Sequence, residues 1–579
     1  MRWEANSSPP MTILRAIFAP FALVLLAGCQ TIAPEPVAQS VQSSVSGVVS
    51  AADPRAAAAG AEILRQGGSA TDAAIAVMLA LTVVEPQSSG IGGGGFFLHS
   101  DATGSLATLD GRETAPAEAG ADWFLDESGE PLGYREAVLS GRSVGVPGNV
   151  ALAAEAHRRH GSLTWEALFQ PAIALARDGW TLSERGADFA ERFRERAASD
   201  AGGQALFYDE SGNVLPVGTR ITNPQLAETL QAIATRGPDW LYRDNAEVLA
   251  LTVSSATPGN AGMRTADLHN YAAVERPGIC GPYREYLICS MGPPSSGATT
   301  VLAILGQLER FDIAALGAQS PVTWHLFAES QRLAYADREA YLADPAFVQV
   351  PAGLTDPAYL AQRSMLISAD SRMASVAAGT PSGLALAPPD GDEPVDNGTS
   401  HFSVADDEGN VVSWTSTIEG PFGSGLMFGG FYLNNELTDF SFVPERGGVA
   451  VANRVEGGKR PRSSMAPTIV YDAEGRAVLS IGAAGGSTIP VQVAKALVGY
   501  IDFDLTAQEA IAMPIVFAPG DTVTLEADNA LPGLAEALTA LGHTVSAREL
   551  PLKANAVEFR DGRWIGAADP RSEGAVIAP

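Results

Sequence analysis

The chain has 579 residues, of which 46% are hydrophobic and only 18% charged, which excludes a disordered chain and predicts a large buried core. Lys+Arg number 37 against 66 Asp+Glu, a formal net charge of -29, so the phosphate backbone repels the protein and nucleic-acid binding is disfavoured. Lysine occurs only at Lys459, Lys495 and Lys553, and the three cysteines fit neither a disulfide scaffold nor a zinc-ligand spacing.

The first signal is at residues 11–29, MTILRAIFAPFALVLLAGC, where Arg15 precedes an apolar run too short to cross a membrane. It has the shape of an export signal. Leu26-Ala27-Gly28-Cys29 resembles a bacterial lipobox, which makes Cys29 the expected lipidation site; a plain secretory signal with an incidental cysteine is the alternative. Residues 30–46 are rich in Pro, Ser, Ala and Gln and read as a tether. Export to the periplasm implies an oxidising compartment.

Residues 54–81 form an alanine-rich helical stretch broken at Gly67-Gly68. The following Gly92-Gly93-Gly94-Gly95 suggests a phosphate loop, but no Gly-Lys-Ser/Thr follows. Backbone packed closely against a strand and a helix, able to form the wall of an active site, is the better reading. From 148 to about 370 the chain is mostly helical, with apolar positions at helical spacing over 162–178, 183–197, 223–235, 295–308 and 322–343. Charged residues between Glu329 and Arg338 are expected to pair as a structural network. Within GICGPYREYLIC, a turn at Arg284-Glu285 sets Cys280 opposite Cys289 on two antiparallel strands, so they are either a disulfide or two free buried thiols.

Residues 374–396 turn to Ala, Gly, Pro, Ser and Asp and read as a linker. Immediately after it, 400–405 and 411–418 alternate as strands around a turn at 406–410. Another strand is expected over 478–481, ending in Gly-Ala-Ala-Gly-Gly, and a helix over 488–500. A hydroxyl residue behind a glycine, where a linker meets a core strand, permits one chemistry. The Thr399 hydroxyl attacks the Gly398 carbonyl, the acyl group shifts from N to O, and hydrolysis frees an N-terminal threonine whose α-amino group serves as base for its own hydroxyl. Such an amine titrates near ~7.7–8.0, low enough to accept a proton at neutrality.

Around this junction the sequence resembles the γ-glutamyltranspeptidase family of N-terminal-nucleophile hydrolases, from about residue 47 to the C-terminus. The resemblance is carried by Val84-Glu85-Pro86-Gln87 with the glycine run, Asp110-Gly111-Arg112-Glu113-Thr114-Ala115-Pro116, Gly145-Val146-Pro147-Gly148 and Pro293-Pro294-Ser295-Ser296-Gly297. More specific is the ordered set Thr399-Ser400-His401, Leu433-Asn434-Asn435, Arg462-Ser463-Ser464-Met465 and Gly485-Gly486.

The resemblance implies an α+β fold, a four-layer αββα sandwich in one globular body, cut into a large subunit (47–398 after the tether) and a small subunit (399–579). It implies Thr399 as nucleophile and Thr417 as the residue orienting the nucleophile's amino group. Gly485 and Gly486 match the oxyanion hole. Arg112, Ser463 and Ser464 match the groups that bind the donor α-carboxylate. Asp439 and Glu436 match those that hold its ammonium, and His401 is expected to pack behind the nucleophile. Glu419 stands where better-known members have an asparagine, and the lid between Asp439 and Ser463 looks shortened. The implied activity is hydrolysis or transfer of a γ-glutamyl group from glutathione or related donors to water, an amino acid or a peptide, with no metal or cofactor. An amidase for glutaryl (cephalosporin-type) or poly-γ-glutamate substrates is the alternative on the same fold. A catalytically silent binding lipoprotein is the alternative of another class.

Overall fold

A computed structural model describes residues 47–383 and 398–579; Cys29, the export signal and the tether lie outside the described residues. Two antiparallel sheets form its centre. In the first, seven strands run in the order Ala575–Ile577, Val48–Ala51, Ser400–Ala405, Val411–Thr417, Gly94–Ser100, Leu106–Gly111 and Val274–Glu275. In the second, six run in the order Arg563–Ala568, Lys553–Arg560, Ala477–Ala484, Thr468–Tyr471, Tyr286–Ser290 and Ile279–Tyr283. The strands on either side of the expected cut thus share both sheets: Ser400–Ala405 lies between Val48–Ala51 and Val411–Thr417.

Period-two alternation decides what each face of the central strand meets. Phe402 and Val404 point into an apolar cluster with the helices Pro54–Arg65 and Ala70–Val84. His401 and Ser403 point the other way, onto Gly482 and Ser480 of the second sheet. Past its capping first turn the helix Ala70–Val84 is apolar apart from Thr82, and every one of its residues is buried, as a helix without a polar face must be. Its Ser69–Asp72 capping box satisfies the start. On the far side, Gly297–Leu308 and Ile489–Asp502 cover the second sheet, and Pro321–Tyr341 packs against Gly297–Leu308. The result is four layers, helix–sheet–sheet–helix.

The expected helices form with small boundary shifts: Pro54–Arg65 and Ala70–Val84 flank the Gly67-Gly68 break, and Trp165–Asp178, Pro224–Arg236 and Pro321–Tyr341 follow their periodicity. The stretch 183–197 is interrupted at Phe193, between Glu184–Arg192 and Arg194–Ala197. The hairpin turns at Arg284, and Cys280 and Cys289, opposed in register, are joined by a disulfide. The acidic and basic residues of Pro321–Tyr341 pair as a network, Arg332 with Glu329 at 2.7 Å and with Asp521 at 2.8 Å, and Arg363 with Asp337 at 3.2 Å.

Candidate active site

Thr399 sits at the start of the central strand, buried, with its hydroxyl against the Gly398 carbonyl oxygen. Thr417 ends the neighbouring strand. Its Oγ1 donates to the same Gly398 oxygen at 2.9 Å and lies 3.1 Å from Thr399 Oγ1. Two hydroxyls therefore converge on one peptide carbonyl. The approach is close: a Cβ on Gly398 would lie 2.4 Å from the Glu419 carbonyl oxygen, so only glycine fits there.

The glycine run packs as its sequence suggested. A Cβ on Gly93 would fall 1.9 Å from the Thr417 carbonyl oxygen, and one on Gly92 would fall 2.0 Å from that of Tyr432. The run thus backs the Thr417 strand. His401, two residues after Thr399, is fully buried, its ring nitrogens bonded to Thr415 Oγ1 (2.9 Å) and Ser403 Oγ (3.0 Å). Burial pushes its pKa down to about 3, which leaves it neutral at working pH.

Gly485 and Gly486 follow the strand Ala477–Ala484. Ser403 meets Ser480 at 2.8 Å and His401 meets Gly482, so the progression that leads back to Thr399 on one strand leads on to Gly485 on the other. Gly485 has φ 123°, a conformation open to glycine alone. Its carbonyl accepts from Thr488 Oγ1 at 2.8 Å, and Gln492 Nε2 donates to the Ala484 carbonyl at 2.7 Å. These bonds fix the orientation of the peptide planes in the turn.

Arg112 directly follows the strand Leu106–Gly111 of the first sheet and is fully buried. Its guanidinium bonds to Glu436 and Asp439 and donates to the carbonyls of Arg462 (2.8 Å) and Pro461 (3.2 Å). Burial by itself would lower Arg112, but Glu436, Asp439 and Glu113 outweigh it and hold the guanidinium above its ordinary value. Glu436 and Asp439 lie on one 3-10 turn, Glu436–Asp439. Asn434 stitches that turn to the glycine run, donating to Gly92 O at 2.8 Å and Gly145 O at 2.9 Å while accepting from Glu436 N at 3.0 Å.

Of the three acids expected around one cation, Glu436 and Asp439 meet Arg112, whereas the Glu419 carboxylate accepts from Asn435 Nδ2 at 2.5 Å. Glu419 also has φ 72°, and its N–H donates to Thr417 Oγ1 at 2.8 Å. A bulky residue held in the left-handed region is strained, and here it sits two residues past Thr417. Ser463 and Ser464 follow Arg462. Ser463 Oγ accepts from Met465 N at 3.1 Å, and Ser464 Oγ accepts from Arg338 Nη2 at 2.7 Å. Between Asp439 and Ser463 the chain forms a short exposed hairpin, Glu445–Arg446 against Val449–Ala450.

Three residues beside these went unassigned in the sequence. Glu113 is buried beside Arg112 and Glu436; it follows Arg112 directly in the matched motif, but nothing in that motif says which way it points. Asn435 tethers Glu419, and Arg338 reaches Ser464 from a helix whose charges read as a purely structural network. Burial pushes Glu113 up to about 7, against the lowering effect of Arg112. Glu436 is raised well above its ordinary value by burial, again against Arg112 and with Glu113 adding to the rise. The folded state thus keeps the Glu113 proton to about pH 7, while the unfolded chain releases it near its ordinary 4.5. Between those values the folded state binds more protons, so stability is highest at the acid end and is lost as pH rises. Glu113→Gln, which mimics the protonated form, is expected to shrink the fall in Tm between pH 5 and pH 8 measured by calorimetry. An unchanged fall would show that Glu113 does not carry it.

The comparisons with known proteins agree with this geometry. The model of the family described as Gamma-glutamyltranspeptidase matches residues 56–578. The glutathione hydrolase proenzyme of Escherichia coli (strain K12) is 37% identical over 538 residues, covering 91% of this chain and 90% of that protein. That of Bacillus subtilis (strain 168) is 35% identical over 549 residues, 92% of this chain and 91% of that protein. Among solved structures, a cephalosporin acylase from Bacillus halodurans matches with TM-score 0.79 at 26% identity, covering 96% of this chain and 99% of that one. The chain belongs to the gamma-glutamyltranspeptidase family of enzymes and has the αββα fold of the N-terminal-nucleophile hydrolases.

Proposed function

We propose that the protein cuts itself between Gly398 and Thr399 and then hydrolyses or transfers γ-glutamyl groups, with glutathione as the default donor, through Thr399. The observation that carries this reading is the convergence of the Thr399 and Thr417 hydroxyls on the Gly398 carbonyl. Thr399 Oγ attacks the Gly398 carbonyl carbon, the oxygen gathers negative charge, and Thr417 Oγ–H is in place to stabilise it. The C–N bond breaks, its nitrogen takes the proton, and water hydrolyses the resulting ester. Gly398 then ends the large subunit as a carboxylate and Thr399 begins the small subunit as a free amine.

In turnover the same hydroxyl attacks the donor γ-carbonyl while the Thr399 amine takes its proton. The N–H groups of Gly485 and Gly486 receive the developing oxyanion. Arg112, Ser463 and Ser464 bind the donor α-carboxylate, and Asp439 with Glu436 and Glu419 binds its ammonium. Water, an amino acid or a peptide resolves the γ-glutamyl ester. Every step is supplied by this chain's own residues, and among the described residues no cluster of His, Cys, Asp or Glu could hold a metal ion.

A second reading, an amidase for glutaryl-type or poly-γ-glutamate substrates, is favoured by Glu419 and by the likeness to a cephalosporin acylase. A panel of γ-glutamyl and glutaryl anilides separates the two, with Glu419→Asn as the diagnostic variant. Asparagine tolerates φ 72° better than glutamate, so the fold is retained. If Glu419 helps hold the donor ammonium, KM for γ-glutamyl donors changes by about tenfold or more, the lower end of the roughly 1.5–3 kcal/mol carried by one charge-assisted contact, while glutaryl donors are unchanged or improved. Equal responses from the two donor classes would remove Glu419 from the ammonium site.

Export and lipid anchoring through Cys29 complete the reading, supported by residues 11–29 and by the Cys280–Cys289 disulfide, which suits an oxidising compartment. Cys29→Ala is expected to move the protein from the membrane pellet to the soluble periplasmic fraction. Retention in the pellet would leave the lipid anchor without support.

A further inference from the structure

Lys553 is buried, with 2% exposure. An ammonium out of water is tolerated only when paired and fully hydrogen-bonded. Lys553 Nζ lies 3.0 and 3.2 Å from the two oxygens of Glu85 and 3.3 Å from Ser400 Oγ. Ser400 Oγ in turn donates to Glu85 at 2.6 Å. The three side chains form a closed triangle, drawn from positions 85, 400 and 553.

Each corner is linked to the candidate site through the chain or through a neighbouring strand. Ser400 is the residue after Thr399. Glu85 caps the helix Ala70–Val84 and lies seven residues before the glycine run. Lys553 pairs in register with Ala484, the residue before Gly485. Its own N–H donates to Gln492 Oε1 at 3.2 Å, and Gln492 Nε2 donates to the Ala484 carbonyl and to Thr488 Oγ1, which holds the Gly485 carbonyl. An unbroken run of bonds therefore joins the neighbour of the nucleophile to the Gly485 turn. The charged groups around the triangle are Arg185, 3.9 Å from Glu85, and the Asp53–Arg55 pair beyond it.

We propose that Lys553, acting with Glu85, is a positioning residue that clamps Ser400 and so fixes the start of the nucleophile strand against the Gly485–Gly486 turn. The inference rests on Thr399 being the nucleophile. Once the Gly398–Thr399 bond is cut, the strand begins at a free end and loses its covalent anchor. The triangle, with Glu85 in the large subunit and Ser400 and Lys553 in the small one, then holds that end in place. A displacement of about 1 Å at the reacting atoms lowers a rate by up to about 100-fold.

The test uses the full chain carrying Glu85→Gln with Lys553→Met, which leaves neither buried charge without its partner. The fraction cut, kcat and KM on a γ-glutamyl anilide, and Tm are compared with wild type. Slow cutting and a kcat lowered about 10–100-fold, with KM within about twofold, is the expected result. Adding Ser400→Ala to this variant is expected to cost little more, because the clamp acts through Ser400. A kcat and cutting rate within about twofold of wild type overturns the proposal, and so does a Ser400→Ala loss that multiplies with that of the pair. Should the double variant fail to fold, Ser400→Ala alone decides: kcat lowered at constant KM supports the clamp and unchanged kcat overturns it. Failure of the nucleophile assignment shows separately, as cutting or activity in Thr399→Ala.

Discussion

Thr399→Ala is expected to yield a single uncut, folded and inactive chain. The substitution removes the hydroxyl proposed both to attack the Gly398 carbonyl and to act later as nucleophile, while Thr417 Oγ1 keeps its 2.9 Å bond to that carbonyl. The loss of a methyl and a hydroxyl at one buried position is small beside the ~5–15 kcal/mol of a folded protein, so the fold survives. Denaturing electrophoresis and intact-mass measurement read the outcome. Thr399→Ser retains a hydroxyl at the same place and is expected to cut slowly. Normal cutting in Thr399→Ala would mean that an outside protease makes the break, and the self-cleavage reading would fall.

The second large effect is expected at Arg112. Its guanidinium spans Glu436, Asp439 and the carbonyls of Pro461 and Arg462 from a fully buried position. Lysine keeps the charge but presents a point donor instead of a planar fork, so Arg112→Lys cannot serve these acceptors and a donor carboxylate together. Losing one charge-assisted contact costs roughly 1.5–3 kcal/mol, which corresponds to about a 10- to 150-fold rise in KM for a γ-glutamyl anilide. Cutting at Gly398 needs no donor and is expected to proceed normally. An unchanged KM would take Arg112 out of the donor pocket. Arg112→Met is a poorer test, because it strands Glu436 and Asp439 without their partner and destabilises the fold by about 3–5 kcal/mol.

These two residues differ in how far the sequence alone exposes them. Thr399 stands at a change of composition, between a linker and an alternating strand, behind a glycine, and the strand begins at Ser400 as the alternation implies. Arg112 is visible only through a matched motif, and its contacts with Glu436 and Asp439 span more than 300 positions. Strands such as Val48–Ala51 and Gly94–Ser100 show no alternating pattern, because the first has only four residues and the second opens with two glycines.

What the sequence determined by itself is therefore local: the helix periods, the Gly67-Gly68 break, the Arg284 turn that opposes Cys280 and Cys289, the paired strands after residue 399, and the family, through motifs short enough to read in order. Tertiary structure decided how charges separated along the chain were shared out. It gave Glu436 and Asp439 to Arg112, tied Glu419 to Asn435, buried Glu113 beside them, and closed Glu85, Ser400 and Lys553 into one triangle. The physical reason is that periodicity reports only which face of an element is apolar. A buried charge must instead find its partner wherever the packed layers bring one within hydrogen-bonding distance, and that neighbour is set by the stacking of the two sheets, not by spacing along the chain.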